Sequence, residues 1–277
     1  MAELPEIETL RRELDKELAQ KKIKTIELPT LKAIPRYKSK KLFTDLLEGK
    51  KVLGLERKGP FLIAKIDGGD ALMIDLGSEG QLIRVKSAKQ VVSKTTQLIM
   101  TFTQGGQLRI LDAKGETELW VLPYTEVSNA PELAGLGLDP LEAAISWETF
   151  GRLLYRQSEK LKTLLMDRSF IVGLGPAYSD EILFTAGLRH DRDSDSLSSQ
   201  EVRRLYRALI EIMQEAVKFR GSNHAAKASS GDPFDEEGSD HFKVWERDGQ
   251  SCRRCRREIH KGRFANRPIY YCEACQV

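Results

Sequence analysis

The stretch that decides the architecture lies at the C-terminus, where Cys252-Arg-Arg-Cys255 is followed by sixteen residues and then by Cys272-Glu-Ala-Cys275. All four cysteines of the chain lie in these two CxxC pairs. Each CxxC turn presents two sulfurs to one side, so four thiolates can converge on a tetrahedral Zn²⁺ at roughly 2.3 Å. The spacing therefore predicts one structural zinc ion per chain.

Two other uses of paired cysteines stay open, namely a disulfide-stapled tail and a redox-active CxxC. Both are disfavoured, because the N-terminus has the pattern of an amphipathic helix and not of a secretory signal. A domain as small as residues 241–277 buries little apolar surface. We therefore expect the metal to stabilise it by an amount on the order of 10 kcal/mol.

The residues between the cysteine pairs predict a β-hairpin with basic edges and an aromatic base. Segment 241–277 carries nine Lys/Arg against four Asp/Glu, whereas the net charge of the whole 277-residue chain is only +3. A basic zinc hairpin most often binds a phosphate backbone, although a protein-binding zinc ribbon has the same spacing. No apolar run approaches the ~20 residues needed to cross a bilayer, so we expect a soluble protein without a membrane partner.

Working toward the N-terminus, residues 1–130 predict a helix followed by a β-sandwich or barrel. Apolar residues from Leu4 to Leu18 recur every three or four positions, which is typical of an amphipathic helix. Seven short apolar or alternating runs then predict strands, and a helix is expected at 38–47. The runs are 23–28, 52–55, 61–66, 71–76, 97–102, 107–111 and 119–122.

Residues 131–220 have helical patterns, and the boundary at 131 separates them from the strands. Ser146-Trp-Glu-Thr149 predicts a capping box at the start of one helix. Further helices are expected at 160–168, 179–186 and 199–219, the first two joined by a Gly-rich segment. Two helices joined in this way can clamp a duplex backbone, although an ordinary helical hairpin has the same pattern. Residues 221–240 are small, polar and acidic, and predict a flexible linker or loop.

The order of these motifs resembles that of the formamidopyrimidine-DNA glycosylase and endonuclease VIII family. The resemblance spans the whole chain and rests on Glu3-Leu-Pro-Glu6, on the segment from Leu165-Met-Asp167 to Gly187, and on the finger from Asn266-Arg267 to Cys275. It implies a multi-domain α+β fold: an N-terminal two-layer β-sandwich with flanking helices, and a C-terminal helix-two-turns-helix domain with a zinc-finger hairpin. It further implies a monomeric base excision repair enzyme, cytoplasmic and associated with the nucleoid, that excises damaged bases and cuts the abasic strand.

The resemblance places the chemistry at the N-terminus. In the family the nucleophile is a proline exposed by removal of the initiator Met, and here that position is Ala2. An α-amino group titrates near about 7.7 to 8.0, so a neutral fraction is available at pH 7 to attack C1′ and form a Schiff base. Glu3 corresponds to the acid/base residue and Glu6 completes the catalytic set. Taken alone, Glu3 is better explained as an ordinary charge in the first turn of a helix, and it is the surrounding motif that favours the catalytic role.

The resemblance also implies DNA contacts. Lys162 and Arg267 are expected at the phosphates that flank the lesion, and Tyr178 and Lys114 are expected to contribute to binding. The family's lesion-recognition loop corresponds to residues 221–240.

Several positions depart from the family pattern. A family lysine aligns with Pro60, and the phosphate-binding Asn after Val-Gly-x-Gly aligns with Pro176. The residues that wedge into the duplex, a Met, an Arg and usually a Phe, are replaced by Ser78, Lys114 and Glu116. Extruding a base costs a few kcal/mol and needs such a plug.

Two functions from different classes follow. One is an active glycosylase and abasic-site lyase with an altered substrate preference, for example for single-stranded, bulged or already abasic DNA. The other is a pseudoenzyme that binds DNA lesions or structures without cutting. Retention of Glu3 favours the first, and the replaced wedge and phosphate positions favour the second. A zinc protein that binds other proteins is a third reading.

Overall fold

The computed structural model describes residues 3–87, 89–142, 145–219 and 241–277. Ala2 and the predicted linker or recognition loop at 221–240 lie outside these residues. The described residues divide into two compact units, one made of 6–134 and the other of 3–5, 135–219 and 241–277. None of the helices in these ranges is both long and apolar enough to cross a membrane.

The first unit contains two four-stranded antiparallel sheets. Their strand orders are β1-β6-β7-β5 and β2-β3-β4-β8. The elements are α1 (Leu4–Leu18), β1 (Ile23–Glu27), α2 (Lys40–Thr44), β2 (Val52–Lys58), β3 (Phe61–Ile66), β4 (Asp70–Asp75), β5 (Gln81–Val85), β6 (Thr96–Phe102), β7 (Gln107–Leu111) and β8 (Glu118–Pro123).

The two sheets bury one shared apolar core, which confirms the predicted two-layer sandwich. Leu62 and Leu72 of one sheet and Leu98 and Leu108 of the other belong to the same buried cluster, together with the apolar stripe of α1. Burying an apolar side chain of this size stabilises a fold by roughly 1.5–3 kcal/mol. The layered core therefore accounts for the stability of this unit.

Two details of the sandwich differ from the sequence expectation. Strand β5 was not among the seven runs, because only Leu82 and Val85 of its five residues are buried and no clean alternation results. Helix α2 is a single short segment, Lys40–Thr44, with Ser39 as its N-cap, and not the longer helix expected over 38–47.

The second unit is helical and carries a small hairpin. Its elements are α3 (Trp147–Leu154), α4 (Leu161–Leu165), α5 (Pro176–Ala186), α6 (Ser199–Lys218), β9 (His260–Phe264) and β10 (Arg267–Tyr271). Helices α4 and α5 and the turns between them form the helix-two-turns-helix motif, and β9 and β10 pair as an antiparallel hairpin. The multi-domain α+β expectation is confirmed.

The helix starts show why two local expectations were wrong. Ser146 caps α3 by accepting a hydrogen bond from the Thr149 amide at 3.2 Å. The predicted capping box does not form, because Thr149 has no carboxylate to return the bond. A complete box instead starts α6, where Ser198 and Glu201 cap each other. Helix α5 begins three residues earlier than expected, at Pro176, because proline suits the first helical position.

Helix α5 binds the C-terminal segment, residues 241–277, through buried contacts. The buried carboxylate of Glu181 accepts hydrogen bonds from the amides of Lys243, Val244 and Trp245, at 2.8, 2.7 and 2.8 Å. The guanidinium of Arg254 lies 4.7 Å from the ring centre of Phe184. These contacts fix the base of the hairpin to the helix-two-turns-helix motif.

Candidate functional site

The carboxylate of Glu3 is held by the first turn of α5. Its oxygens accept hydrogen bonds from the amides of Gly175, Ala177 and Tyr178, at 2.7, 3.0 and 3.3 Å. The first amides of a helix have no partner within the helix, and they carry the positive end of its dipole. Glu3 is 6% exposed. A buried carboxylate is thus placed in one orientation by backbone donors.

Gly175 makes this arrangement sterically possible. A Cβ at this position would lie 2.6 Å from the carboxyl carbon of Glu3, well inside van der Waals contact. The Gly-rich segment that the sequence showed before α5 therefore has a specific purpose, since it lets the backbone approach the carboxylate.

Lys162, expected at a DNA phosphate, lies inside the second unit. Its ammonium donates to Asp180 Oδ1 and Ser179 Oγ at 2.7 Å each, and to the carbonyl of Pro176 at 2.8 Å. The Lys162 side chain is 3% exposed and that of Asp180 is 2% exposed. A lysine surrounded in this way offers no surface to a phosphate, so we assign it an indirect role.

Burial sets the proton affinities of this pair. Desolvation lowers the pKa of Lys162, against the opposite influence of the Asp180 and Glu3 charges. Desolvation also raises the pKa of Asp180 to about 6, although the Lys162 ammonium and the Tyr270 amide act in the other direction. Burial therefore opposes the charged form of both groups, whereas their mutual attraction and the hydrogen bonds around them favour it.

The four cysteines converge as their spacing predicts. All four Sγ atoms lie within 4.8 Å of one another. The Sγ separation is 3.9 Å between Cys252 and Cys275 and 3.5 Å between Cys255 and Cys272. A tetrahedral ion with ligands at ~2.3 Å needs edges of ~3.8 Å, so the cluster fits a four-thiolate zinc finger.

As thiols, the cysteines differ in acidity. The backbone amide of Arg257 lowers the pKa of Cys255 to about 7, whereas burial raises the pKa of Cys275 to about 12. Metal ligation requires thiolates, so binding at this cluster releases protons. Cys255 therefore loses its proton more readily than Cys275.

The remaining predicted DNA contacts fall into two groups. Arg267, at the start of β10, is exposed, as are Arg253 and Arg263 of the finger. Tyr178 is only 1% exposed, and its ring packs edge-on against Phe242 with centres 5.7 Å apart. Its backbone amide donates a hydrogen bond to Glu3.

The loop after β4 and the loop after β7 contact each other through polar groups, and we call residues 75–80 and 112–117 the polar clasp. The amide of Ser78 donates to Glu116 at 3.1 Å, and the Ser78 hydroxyl donates to the same carboxylate oxygen. Lys114 forms an ion pair with Glu79 at 2.9 Å. A Cβ on Gly77 would lie 2.8 Å from Cβ of Glu116, so glycine permits the close approach.

Asp112 shapes one side of the clasp. Its carboxylate accepts from the amides of Lys114, Gly115 and Thr117, at 2.9, 2.9 and 2.7 Å. Burial opposes ionisation, but these hydrogen bonds outweigh it and lower the pKa of Asp112. This residue was not predicted as a site residue, although an Asp just before a Lys-Gly turn is a usual sequence signal for side-chain-to-backbone hydrogen bonding.

A second buried carboxylate, Glu8 in α1, was also not singled out as a site residue. It accepts from Arg11, Arg12 and Arg57, with N···O distances of 2.9, 2.7 and 3.1 Å. Desolvation would raise its pKa, but the three guanidinium groups lower it to about 2. Glu6, expected in the catalytic set, is 4% exposed in the same unit.

The sandwich, the helix-two-turns-helix motif and the four-cysteine hairpin together define a class of zinc-finger DNA-binding proteins. Family models match both parts of the chain: the formamidopyrimidine-DNA glycosylase N-terminal domain over residues 1–119, and the formamidopyrimidine-DNA glycosylase H2TH domain over residues 136–227. The chain belongs to the formamidopyrimidine-DNA glycosylase family, which confirms the resemblance seen in the sequence.

Full-length relatives agree with this assignment. The formamidopyrimidine-DNA glycosylases of Heliobacterium modesticaldum and Desulforamulus reducens are each 34% identical to the chain, which they cover completely, and 100% and 99% of their own lengths are matched. A solved complex of the Lactococcus lactis enzyme with DNA containing an abasic site superimposes with a TM-score of 0.89. Its sequence is 27% identical, and 99% of each chain is covered.

Proposed function

We propose that the protein is a DNA glycosylase and abasic-site lyase that acts through a Schiff base. The observation that carries the proposal is the Glu3 carboxylate, oriented by three backbone amides at the start of α5. A positioned carboxylate next to an N-terminal amine can move the protons that imine chemistry requires. Ala2, with Met1 removed, supplies that amine.

The reaction can be written with this chain's own groups. The neutral amine of Ala2 attacks C1′ of the damaged nucleotide, and the bond from C1′ to the base, or to the hydroxyl of an abasic sugar, breaks. The proton that the new C1′–N ammonium loses is taken up by the leaving base or hydroxide. Opening of the sugar ring places a proton from Glu3 on the ring oxygen and leaves an imine between Ala2 and C1′. The Glu3 carboxylate, which has given up its proton, then accepts a proton from C2′, and a C2′–C3′ double bond forms as the 3′ phosphate leaves, which cuts the strand.

The four-cysteine cluster supports the proposal of one structural Zn²⁺ per chain. The zinc would fix the hairpin that carries Arg267, which we assign to a phosphate flanking the lesion. Lys114 is a second exposed cation proposed at DNA, tied to Glu79 in its present conformation. Phosphate contacts of this kind give affinity without reading sequence.

The polar clasp supports an altered substrate preference. Where the family inserts apolar and basic side chains into the base stack, this chain has Ser78, Glu116 and Lys114, engaged with one another and with Glu79. An inserted carboxylate would lose its hydration and repel phosphates, so this surface is unsuited to filling a gap in a duplex. We therefore propose DNA in which no gap needs filling, namely single-stranded, bulged or abasic DNA.

A pseudoenzyme that binds DNA without cutting is the second candidate. The observation that favours it is the buried state of Lys162, together with proline at positions 60 and 176. A chain that had lost selection for chemistry would retain the zinc hairpin and the helix-two-turns-helix motif for binding alone.

The test is single-turnover cleavage of an oligonucleotide with one abasic site, offered as single strand, as bulge and as full duplex. The proposal expects cleavage by the wild-type protein, fastest on the single strand or bulge, and a loss of about a hundredfold in Glu3→Gln. Glu159→Gln, an exposed carboxylate of the same unit, is the control and should cut normally. Binding of all three DNAs without cleavage would establish the pseudoenzyme instead.

A further inference from the structure

The first turn of α5 is held from two sides by different parts of the chain. On one side its amides bind Glu3. On the other, the carbonyl of Pro176 accepts a hydrogen bond from Lys162 at 2.8 Å, and the hydroxyl of Ser179 accepts another at 2.7 Å. Since the carbonyl of Pro176 and the amide of Ala177 belong to one peptide group, Lys162 fixes the plane of an amide that Glu3 uses.

Asp180 completes the arrangement and extends it to the finger. One of its oxygens accepts from Lys162 at 2.7 Å, and the other accepts from the backbone amide of Tyr270 at 2.9 Å. Tyr270 lies on β10, three residues after Arg267. A single buried carboxylate thus connects the lysine of α4 to the strand that begins with the exposed arginine.

All three protons of the Lys162 ammonium are used in this network. An ammonium has three donors and no acceptor capacity, and here the three partners are Asp180, Ser179 and Pro176. A hydrogen-bonded charge with so little exposure is fixed in direction, unlike a surface lysine that rotates freely.

We propose that Asp180 and Lys162 are positioning residues that hold the Glu3 carboxylate and the DNA-binding strand β10 in one fixed arrangement. This inference deepens the function proposed above and rests on it for the role given to Glu3. Neither residue touches the substrate. Their effect passes through the Pro176 carbonyl to the amides that hold Glu3, and through the Tyr270 amide to the finger.

The alternative is that the pair contributes only to the stability of the unit. Buried ion pairs are often no more stabilising than apolar residues of similar size. Removing only one partner, however, leaves an unpaired buried charge and destabilises the fold. Two variants separate these possibilities. Asp180→Asn has one oxygen and cannot accept from both Lys162 and Tyr270, and the double variant Lys162→Met/Asp180→Leu removes both charges together.

The first measurement is amide hydrogen exchange by NMR in the full-length, zinc-loaded protein. In Asp180→Asn the amides of Tyr270, Gly175 and Tyr178 should exchange roughly tenfold faster or more, since their hydrogen bonds open more often. The amides of Lys243 and Val244, which Glu181 holds, should stay protected and serve as the internal reference. Asp193→Asn, which removes a surface partner of Lys160, is the matched control and should change none of them.

The second measurement is the single-turnover cleavage rate on abasic DNA at saturating protein, together with the melting temperature. The double variant should unfold near the wild-type temperature and yet cleave roughly tenfold more slowly or worse, because Glu3 is no longer held in position. A double variant that is as stable and as fast as wild type would overturn the proposal.

The two measurements also separate this inference from the proposed function. A wild-type protein that never cleaves would contradict the proposed function, while the exchange rates would still decide whether Asp180 links α5 to β10. Faster exchange at Tyr270 with unchanged Gly175 and Tyr178 would show that the pair anchors the finger only, and the link to Glu3 would be rejected.

Discussion

At the scale of single residues, two glutamates near the N-terminus show how partners decide what a carboxylate does. Glu3 accepts hydrogen bonds from three backbone amides of α5, whereas Glu8 is bound by three guanidinium groups. Amide donors orient a carboxylate without neutralising it, so it can exchange protons with a substrate. Three arginines instead fix the charge of Glu8, which suits a structural role in the first unit.

The Glu8 cluster predicts a specific pH dependence of stability. The pKa of Glu8 is lowered from 4.5 to about 2, so its ion pairs stabilise the folded state above about pH 4.5. That contribution is lost as the pH falls from about 4.5 toward 2, because the unfolded chain then binds a proton that the folded one does not. Glu8→Gln should therefore be less stable than wild type by about 2 kcal/mol at pH 7, less than the full shift implies because Arg12 is half exposed and solvent screens it.

The measurement is urea unfolding of wild type and Glu8→Gln at a series of pH values. The difference between the two should shrink toward zero by about pH 2. Glu126→Gln, an exposed carboxylate of the same unit, should match wild type throughout. A Glu8→Gln difference that does not vary with pH would refute the ion-pair explanation.

At the scale of elements, α5 and the finger hairpin depend on each other. Two neighbouring buried carboxylates of α5 bind the C-terminal segment. Asp180 accepts a hydrogen bond from the amide of Tyr270, and Glu181 accepts from the amides of residues 243–245. The C-terminal segment has a small core, in which Val244, Ile259, Tyr270 and two cysteines are buried with Phe184 of α5. So few apolar groups cannot hold a hairpin of basic strands without a metal.

Removal of the metal is therefore expected to unfold the finger and to weaken DNA binding. Cys272→Ser should lose the ion, lose the slow exchange of the β9 and β10 amides, and bind abasic DNA at least about tenfold more weakly, since Arg267 is no longer positioned. Metal analysis, amide exchange and a binding titration measure the three effects. Glu273→Gln, in the same CxxC turn, should retain all three properties. Unchanged affinity in Cys272→Ser, with the metal shown to be absent, would separate the finger from DNA binding.

At the scale of the whole molecule, the features that the sequence predicted are those carried by local spacing. Two CxxC pairs fix the four-cysteine cluster, and the ordered motifs around Glu3, residues 165–187 and the finger identify the family. The burial of Lys162 could not be predicted, because it depends on Asp180, eighteen positions later and opposite it only in the folded unit. The same holds for the polar clasp, in which Ser78 and Glu116 meet across 38 positions.

Individual substitutions were visible in the sequence, but their consequences were not. Ser78 and Glu116 were recognised as replacements for wedge residues, yet only the structure shows them bonded to each other. Likewise the sequence shows Pro176 in place of an Asn, and in the structure the carbonyl of Pro176 accepts a hydrogen bond from Lys162. The sequence pattern shows which side chain of the family is missing, whereas the structure shows which contacts the replacing residue makes.

Borohydride trapping with abasic single-stranded DNA shows whether the N-terminal amine, adjacent to Glu3 in the sequence, performs Schiff-base chemistry. Mass spectrometry of the intact protein first establishes whether Met1 is absent, since one extra residue displaces the amine by about 3.8 Å, beyond an attack distance of about 3 to 3.5 Å. We expect a covalent adduct that maps to Ala2, and a greater yield in Ala2→Pro. No adduct from wild type or from Ala2→Pro, each shown to lack Met1, would contradict this expectation.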